Sequence, residues 1–295
     1  NEKIDIKKLF NSQDIIPAKA EYIPPKTRIE KKLVKIWANL LKIDPSKIGM
    51  NHNFFELGGD SLLSMQIISK AKKQGVFLSL KQTNTHSTIS ELAKNCTNTP
   101  EIIKIQNKDD SIIPLAPIQK WFFEHNFYKP SHWNQYIILD THETINIDYL
   151  NLAVQELFKK HASLRSYFKF NKLKQPIQII APYELCIKQP IFHYFDVSTL
   201  PKSAQEKKMA LIFNQYQSSI DLSTPPLLYV LYFKQKKGKG KLLFLMHHLI
   251  TDVVSWHIIL DDLNLVYAQQ KKKKPINLPF STTSFLTWIN LLINY

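Results

Sequence analysis

The feature that most constrains this chain is a change of periodicity across residues 96–111. That stretch, CTNTPEIIKIQNKDDS, is polar and contains Pro100, so it reads as a linker. Before it the apolar residues fall at helical spacing only. After it strand-like and helix-like patterns alternate. One polypeptide of 295 residues is therefore expected to build two folding units, an all-helical one and a mixed one.

The first unit has clear helix punctuation. Thr27-Arg28-Ile29-Glu30 is a capping box, and Ile29, Leu33, Ile36, Trp37, Leu40 and Leu41 follow on one helical face. A loop with Pro45 and Gly49 comes next. A second helix is expected from about Ser61, carrying Leu62, Leu63, Met65, Ile67 and Ile68, with Gly75 as its stop. A last short helix near Ser87 includes Ile89 and Leu92. Small helices with one apolar face each pack as a bundle.

In the second unit Tyr149–Lys160 has helical spacing through Leu150, Ala153, Val154, Leu157 and Phe158. Tyr229–Phe233 and Leu242–Met246 read as strands joined by a hairpin in KQKKGKGK, and Val253–Tyr267 returns to a helical pattern.

Composition excludes some functions. The net charge of +15 invites a nucleic-acid reading, but the lysines are spread along the chain. The dense runs at Lys234–Lys241 and Lys271–Lys274 lack interleaved aromatics on which bases would stack. Cys96 and Cys186 have no disulfide or metal-ligand spacing, and two isolated thiols suit a reducing compartment. No apolar run approaches a membrane span, and NEKIDIKKLF has no signal core. The expectation is a cytoplasmic protein with no metal, nucleic-acid or membrane partner.

Two strings carry chemistry. The first is NFFELGGDSLLSMQ at Asn53–Gln66, where Gly58 and Gly59 permit a tight approach to a helix that begins at Asp60-Ser61. A phosphodiester on Ser61 would meet free backbone N–H groups at the positive end of the helix dipole. A plain N-cap role for Ser61 or Asp60 is the alternative. The string resembles the carrier (thiolation) domains of nonribosomal peptide synthetases. That resemblance implies 4′-phosphopantetheine on Ser61, installed by a phosphopantetheinyl transferase. NEKIDIKKL at Asn1–Leu9 resembles the last motif of an adenylation domain, with Glu2 for Gly and Ile6 for Arg, and Lys3 at the position of that family's active-site lysine.

The second string is MHHLITDVVSWHIIL at Met246–Leu260. Adjacent strand residues point to opposite faces, so His247 and His248 are expected to play different parts. The string resembles the HHxxxDG motif of the condensation superfamily, which shares a fold like chloramphenicol acetyltransferase. The resemblance implies a catalytic His248 and a structural Asp252 paired with Arg165 of HASLRSYF. Val253 stands where the family has glycine, and a β-branched residue resists positive φ. Either the backbone there needs no such conformation, or the loop is shifted.

Three features resemble epimerisation domains rather than condensation domains: PLAPIQKWFFEHN at Pro114–Asn126, the Val254-Ser255-Trp256 ending, and TTSFLTWINLL at Thr282–Leu292. An aminoacyl or peptidyl thioester has an acidified Cα hydrogen, and an imidazole suits its removal and return. Epimerisation domains resemble one another in taking a second group, a glutamate in an EGHGR-like motif, from a C-terminal half; no such string occurs here.

The expected layout is an adenylation-domain remnant and linker at 1–22, a four-helix carrier bundle at 23–97, a linker at 98–111, and at 112–295 an α/β lobe resembling half of a chloramphenicol acetyltransferase-like fold. Such a chain is expected to be loaded at Ser61, to epimerise poorly by itself, to expose apolar surface, and to work beside an upstream adenylation and a downstream condensation domain. A carrier with a peptide-bond-forming lobe, and a carrier with a degenerate docking lobe, are the competing readings.

Overall fold

A computed structural model describes residues 22–97, 112–279 and 284–293. Asn1–Leu9, including Lys3, the 98–111 linker, and Thr282 and Thr283 lie outside the described residues. The chain divides into two compact units, Asn1–Glu101 and Ile102–Tyr295.

Among the described residues of the first unit the α-helices are α1 (Arg28–Leu41), α2 (Ser61–Lys73), α3 (Leu80–Thr85) and α4 (Ile89–Asn95). The Thr27 capping box forms as its sequence predicts, with Glu30 N donating to Thr27 Oγ1 and Thr27 N to Glu30 Oε2. Leu33, Val34, Ile36 and Trp37 turn inward from α1 and meet Ile48, Phe54, Ile67 and Leu92. Sequence reading places no helix at α3. It starts on a second capping box, Ser79 with Gln82, inside a polar stretch without an apolar stripe. Of the two leucines that follow Ser61, Leu62 is exposed and Leu63 is partly buried.

The second unit opens with β1 (Ile112–Ile113) and α5 (Pro117–Glu124), then β2 (Asn134–Thr141) and α6 (Ile147–Lys160). β3 (Ser166–Phe170), β4 (Pro176–Ile180) and β5 (Phe192–Asp196) follow, then the 18-residue helix α7 (Lys202–Ser219). β6 (Leu228–Lys234) and β7 (Gly240–His247) form the expected hairpin, and α8 (Val253–Lys271) and α9 (Phe285–Ile293) complete the described chain. Four strands make one sheet in the order β2-β7-β6-β5, with β5 parallel to β6 and the other pairs antiparallel. A separate three-stranded sheet runs β1-β4-β3.

Helices cover both faces of the larger sheet. On one face Tyr136 of β2 packs on Phe213 of α7, and His193 of β5 packs on Tyr216. On the other, Phe244 of β7 meets Trp256 of α8. Covering both faces explains why β6 and β7 read as near-continuous apolar runs. β2 is an edge strand that alternates, leaving Tyr136 and Ile138 exposed. Ile118, Trp121 and Tyr128 are also exposed.

α6 and α8 are tied by a buried charge cluster. Asp262 of α8 accepts from Lys160 Nζ at 2.5 Å and His161 Nε2 at 2.8 Å. Burial pushes the Asp262 carboxyl up, and these two bonds outweigh it and hold the group below its usual range.

Candidate functional site

Around Ser61 the backbone is shaped by two glycines. Gly58 has φ +93°, the left-handed region open to glycine, and a Cβ there would meet nothing within 4 Å. Gly59 is needed for space: a Cβ would lie 2.4 Å from Phe54 Cε1 and 2.6 Å from the Phe54 carbonyl oxygen. Asp60 is the N-cap of α2, accepting from Leu63 N at 2.7 Å. Ser61 is the first residue of the helix, exposed, with Leu62 and Phe55 exposed near it. Since Asp60 caps the helix, the Ser61 hydroxyl is left for other chemistry, and it makes no hydrogen bond with the described residues. An exposed hydroxyl, open space over Gly58 and a helix N-terminus fit a phosphodiester at Ser61.

The histidine loop is built where β7 ends. Strand β7 finishes at His247, a 3₁₀ turn takes His248–Ile250, and α8 starts at Val253. His247 is fully buried. Its Nε2 donates to the Pro130 carbonyl at 2.8 Å and its Nδ1 accepts from Leu249 N at 3.2 Å. Burial pushes its pKa down to about 4, so the ring is neutral. His248 is exposed and held by its backbone and both ring nitrogens. Its N–H donates to the Trp133 carbonyl at 2.8 Å, its Nδ1 lies 3.1 Å from the Thr251 carbonyl, and its Nε2 lies 2.9 Å from Gln135 Nε2.

Asp252 is the N-cap of α8. Its Oδ1 accepts from both Ser255 N and Ser255 Oγ at 2.7 Å. The expected Arg165–Asp252 pair is therefore a correction: among the described residues no bond joins the two. Arg165 is buried at the end of a 3₁₀ turn and donates from Nη1 to the Ala181 carbonyl at 2.8 Å, while Asp252 is exposed and turned to its own helix. The aspartate anchors the loop by capping, which needs no arginine. Val253 is the first residue of α8 and is not among the positive-φ residues. Its backbone thus never needs glycine, and the loop accommodates it.

Trp256 is buried on Phe244 and its Nε1 donates to Gln135 Oε1 at 2.9 Å. Sequence reading does not single out Gln135. The register pairs Gln135 with Met246 and Asn134 with His247, so β2 sets this amide beside the histidine loop. Gln119, inside PLAPIQKWFF, is a second such residue: it is buried and its Nε2 donates to the Leu249 carbonyl at 3.1 Å, bracing the turn from α5. The only sequence signal for either is an amide next to an apolar run. Trp288 of α9 is exposed. Among the described residues no cluster of His, Cys, Asp or Glu could hold a metal, and no helix is long and apolar enough to cross a membrane.

Fold and site define a helical carrier domain with an exposed serine at a helix start, followed by a condensation-type lobe with its histidine loop. The chain belongs to the condensation-domain family: the family described as Condensation domain matches residues 109–295, and the one described as Phosphopantetheine attachment site matches residues 31–96. This is the arrangement of a nonribosomal peptide synthetase, with 4′-phosphopantetheine as its prosthetic group. The chain is 33% identical to tyrocidine synthase 2 of Brevibacillus parabrevis over its full length, covering 8% of that protein. It is 30% identical to tyrocidine synthase 1 of the same organism, again over its full length, covering 26% of that protein. The chain thus spans a small part of these relatives. Among solved structures it resembles the epimerization domain from the third module of tyrocidine synthetase B, with TM-score 0.59, 33% identity, and coverage of 65% of this chain and 42% of that one. The first condensation domain of the calcium-dependent antibiotic synthetase shares the fold, with TM-score 0.51 at 16% identity over 57% of this chain and 40% of that one.

Proposed function

We propose that this segment presents an aminoacyl or peptidyl thioester from Ser61 for inversion at Cα, with His248 as a proton-transfer group. The observation that carries the reading is the His248 ring: it is exposed, held at both nitrogens, and set on a loop whose neighbour His247 is sealed in the core. Phosphopantetheine, when bound, supplies a thiol that holds the acyl group as a thioester, which acidifies the Cα hydrogen. Ser61 anchors the tether through its Oγ. His248 takes up a proton at Nε2, and general acid–base transfer of this kind contributes roughly 10²–10⁴-fold. Asp252 and Ser255 hold the loop, Trp256 holds Gln135, and Arg165 stiffens the turn before β3 through Ala181.

Inversion rather than peptide-bond formation is supported by the 33% identity to an epimerization domain, against 16% to a condensation domain. Within the intact synthetase the partners are a phosphopantetheinyl transferase, an upstream adenylation domain and a downstream condensation domain. The domain limits are taken as 1–22, 23–97, 98–111 and 112–295. The test is chiral analysis of the residue released from Ser61 after loading the intact synthetase with the L-amino acid. A mixture of L and D supports inversion. L alone, with a new peptide bond in the presence of an acceptor, supports condensation instead.

A further inference from the structure

We propose that Gln135 is a positioning residue that fixes which nitrogen of His248 carries its proton, and that Trp256 in turn fixes Gln135. The proposal deepens the reading of His248 as a proton-transfer group and rests on it for its catalytic meaning. Its structural content stands on three contacts, each with a partner that works in one direction.

An indole N–H only donates, so the amide atom of Gln135 lying 2.9 Å from Trp256 Nε1 must be the oxygen. That choice turns the amide NH₂ toward His248 Nε2, 2.9 Å away. An amide NH₂ only donates, so Nε2 must offer its lone pair. At the far side of the ring a backbone carbonyl, that of Thr251, lies 3.1 Å from Nδ1. A carbonyl only accepts, so Nδ1 must carry the hydrogen. All three partners require the same neutral tautomer, with the proton on Nδ1 and a bare Nε2.

The opposite tautomer would set N–H against NH₂ at one end of the ring and a lone pair against a carbonyl oxygen at the other. Turning the amide over would relieve the first clash and lose the Trp256 bond. The clamp draws on three elements, β2 for Gln135, α8 for Trp256 and the intervening turn for His248. Trp256 is buried on Phe244, so the clamp's far end is fixed in the core. Gln135 thereby presets Nε2 as the basic atom and occupies its lone pair until a substrate hydrogen takes that place.

The experiment is ring nitrogen–proton correlation spectroscopy on the ¹⁵N-labelled chain, reading the His248 nitrogens directly at a pH where the ring is neutral. The wild type should show a protonated Nδ1 and a bare Nε2. Gln135→Glu keeps an acceptor for Trp256 and has no proton to give, so the Nε2 signal should move to the protonated position. Trp256→Phe keeps the packing on Phe244 and frees the amide, so the two tautomers should mix. A wild type protonated on Nε2, or a Gln135→Glu spectrum unchanged from wild type, overturns the proposal. The readout needs no turnover. If the tautomer shifts as stated while His248→Ala leaves Cα exchange in the intact synthetase unaffected, the catalytic reading of His248 fails and the clamp stands.

Discussion

His247 and His248 are neighbours in the chain and hold their ring protons on opposite nitrogens. His247 donates from Nε2 to Pro130 and accepts at Nδ1, whereas His248 donates from Nδ1 to Thr251 and accepts at Nε2. The end of a strand accounts for the difference. His247 is the last residue of β7 and points into the core, and the chain then turns, exposing His248. One ring is sealed in the core and the other is open to solvent.

The sealed ring has a pH signature. The His247 pKa is held near 4 by burial against an ordinary value of 6.5. Below 6.5 the unfolded chain binds a proton that the folded one refuses. His247 therefore contributes fully above pH 6.5, and its contribution is lost as pH falls toward 4, roughly 3 kcal/mol in all. Denaturant titrations of wild type and His247→Phe across this window should show the wild-type slope missing in the variant. The variant should also be less stable at neutral pH, since Pro130 O and Leu249 N lose their partner.

Asp252 and Arg165 should not couple. Asp252→Ala removes the cap of α8 and should cost about 0.5–2 kcal/mol. A double-mutant cycle with Arg165→Met should give a coupling energy within about 0.5 kcal/mol of zero, as for independent sites. A larger value would mean that the two side chains meet in solution.

Asp262 is where a buried charge matters. Asp262→Ala strands Lys160 and His161 at the α6–α8 contact and should destabilise the second unit by about 3–5 kcal/mol, read by urea midpoint. The wild-type carboxyl is held below its usual range, so its contribution is present at neutral pH. It should fade as pH falls through the acidic range in which the unfolded and then the folded carboxyl protonate.

Gly59→Ala should destabilise the carrier bundle by about 1–3 kcal/mol, because the new methyl would collide with the Phe54 ring and carbonyl. Phe54 itself is packed on Trp37 with ring centroids 4.9 Å apart, which leaves it little room to yield. Thermal unfolding of the first unit reads the effect.

Elements with strong local rules were legible in the sequence. The Thr27 capping box, the Leu150–Phe158 stripe and the β6–β7 hairpin stand where periodicity placed them. α3 was not, because its capping box sits in a polar stretch. α7 was not either: of its residues only Gln205 and Ile212 are buried, so little apolar pattern marks it. The two histidines were legible by motif, while Gln135 was not, since its meaning comes from the β2–β7 register between residues far apart in sequence. The Arg165–Asp252 pair failed because a helix N-terminus two residues from the turn offered the carboxylate nearer donors.

The most direct measurement is hydrogen exchange at Cα. The intact synthetase, loaded through Ser61 with an L-aminoacyl group, is placed in deuterated water and the released residue is weighed by mass spectrometry. Inversion through His248 predicts deuterium at Cα in the wild type and a loss of roughly 10²–10⁴-fold in its rate in His248→Ala. Equal incorporation in both proteins, or none in the wild type, would contradict it.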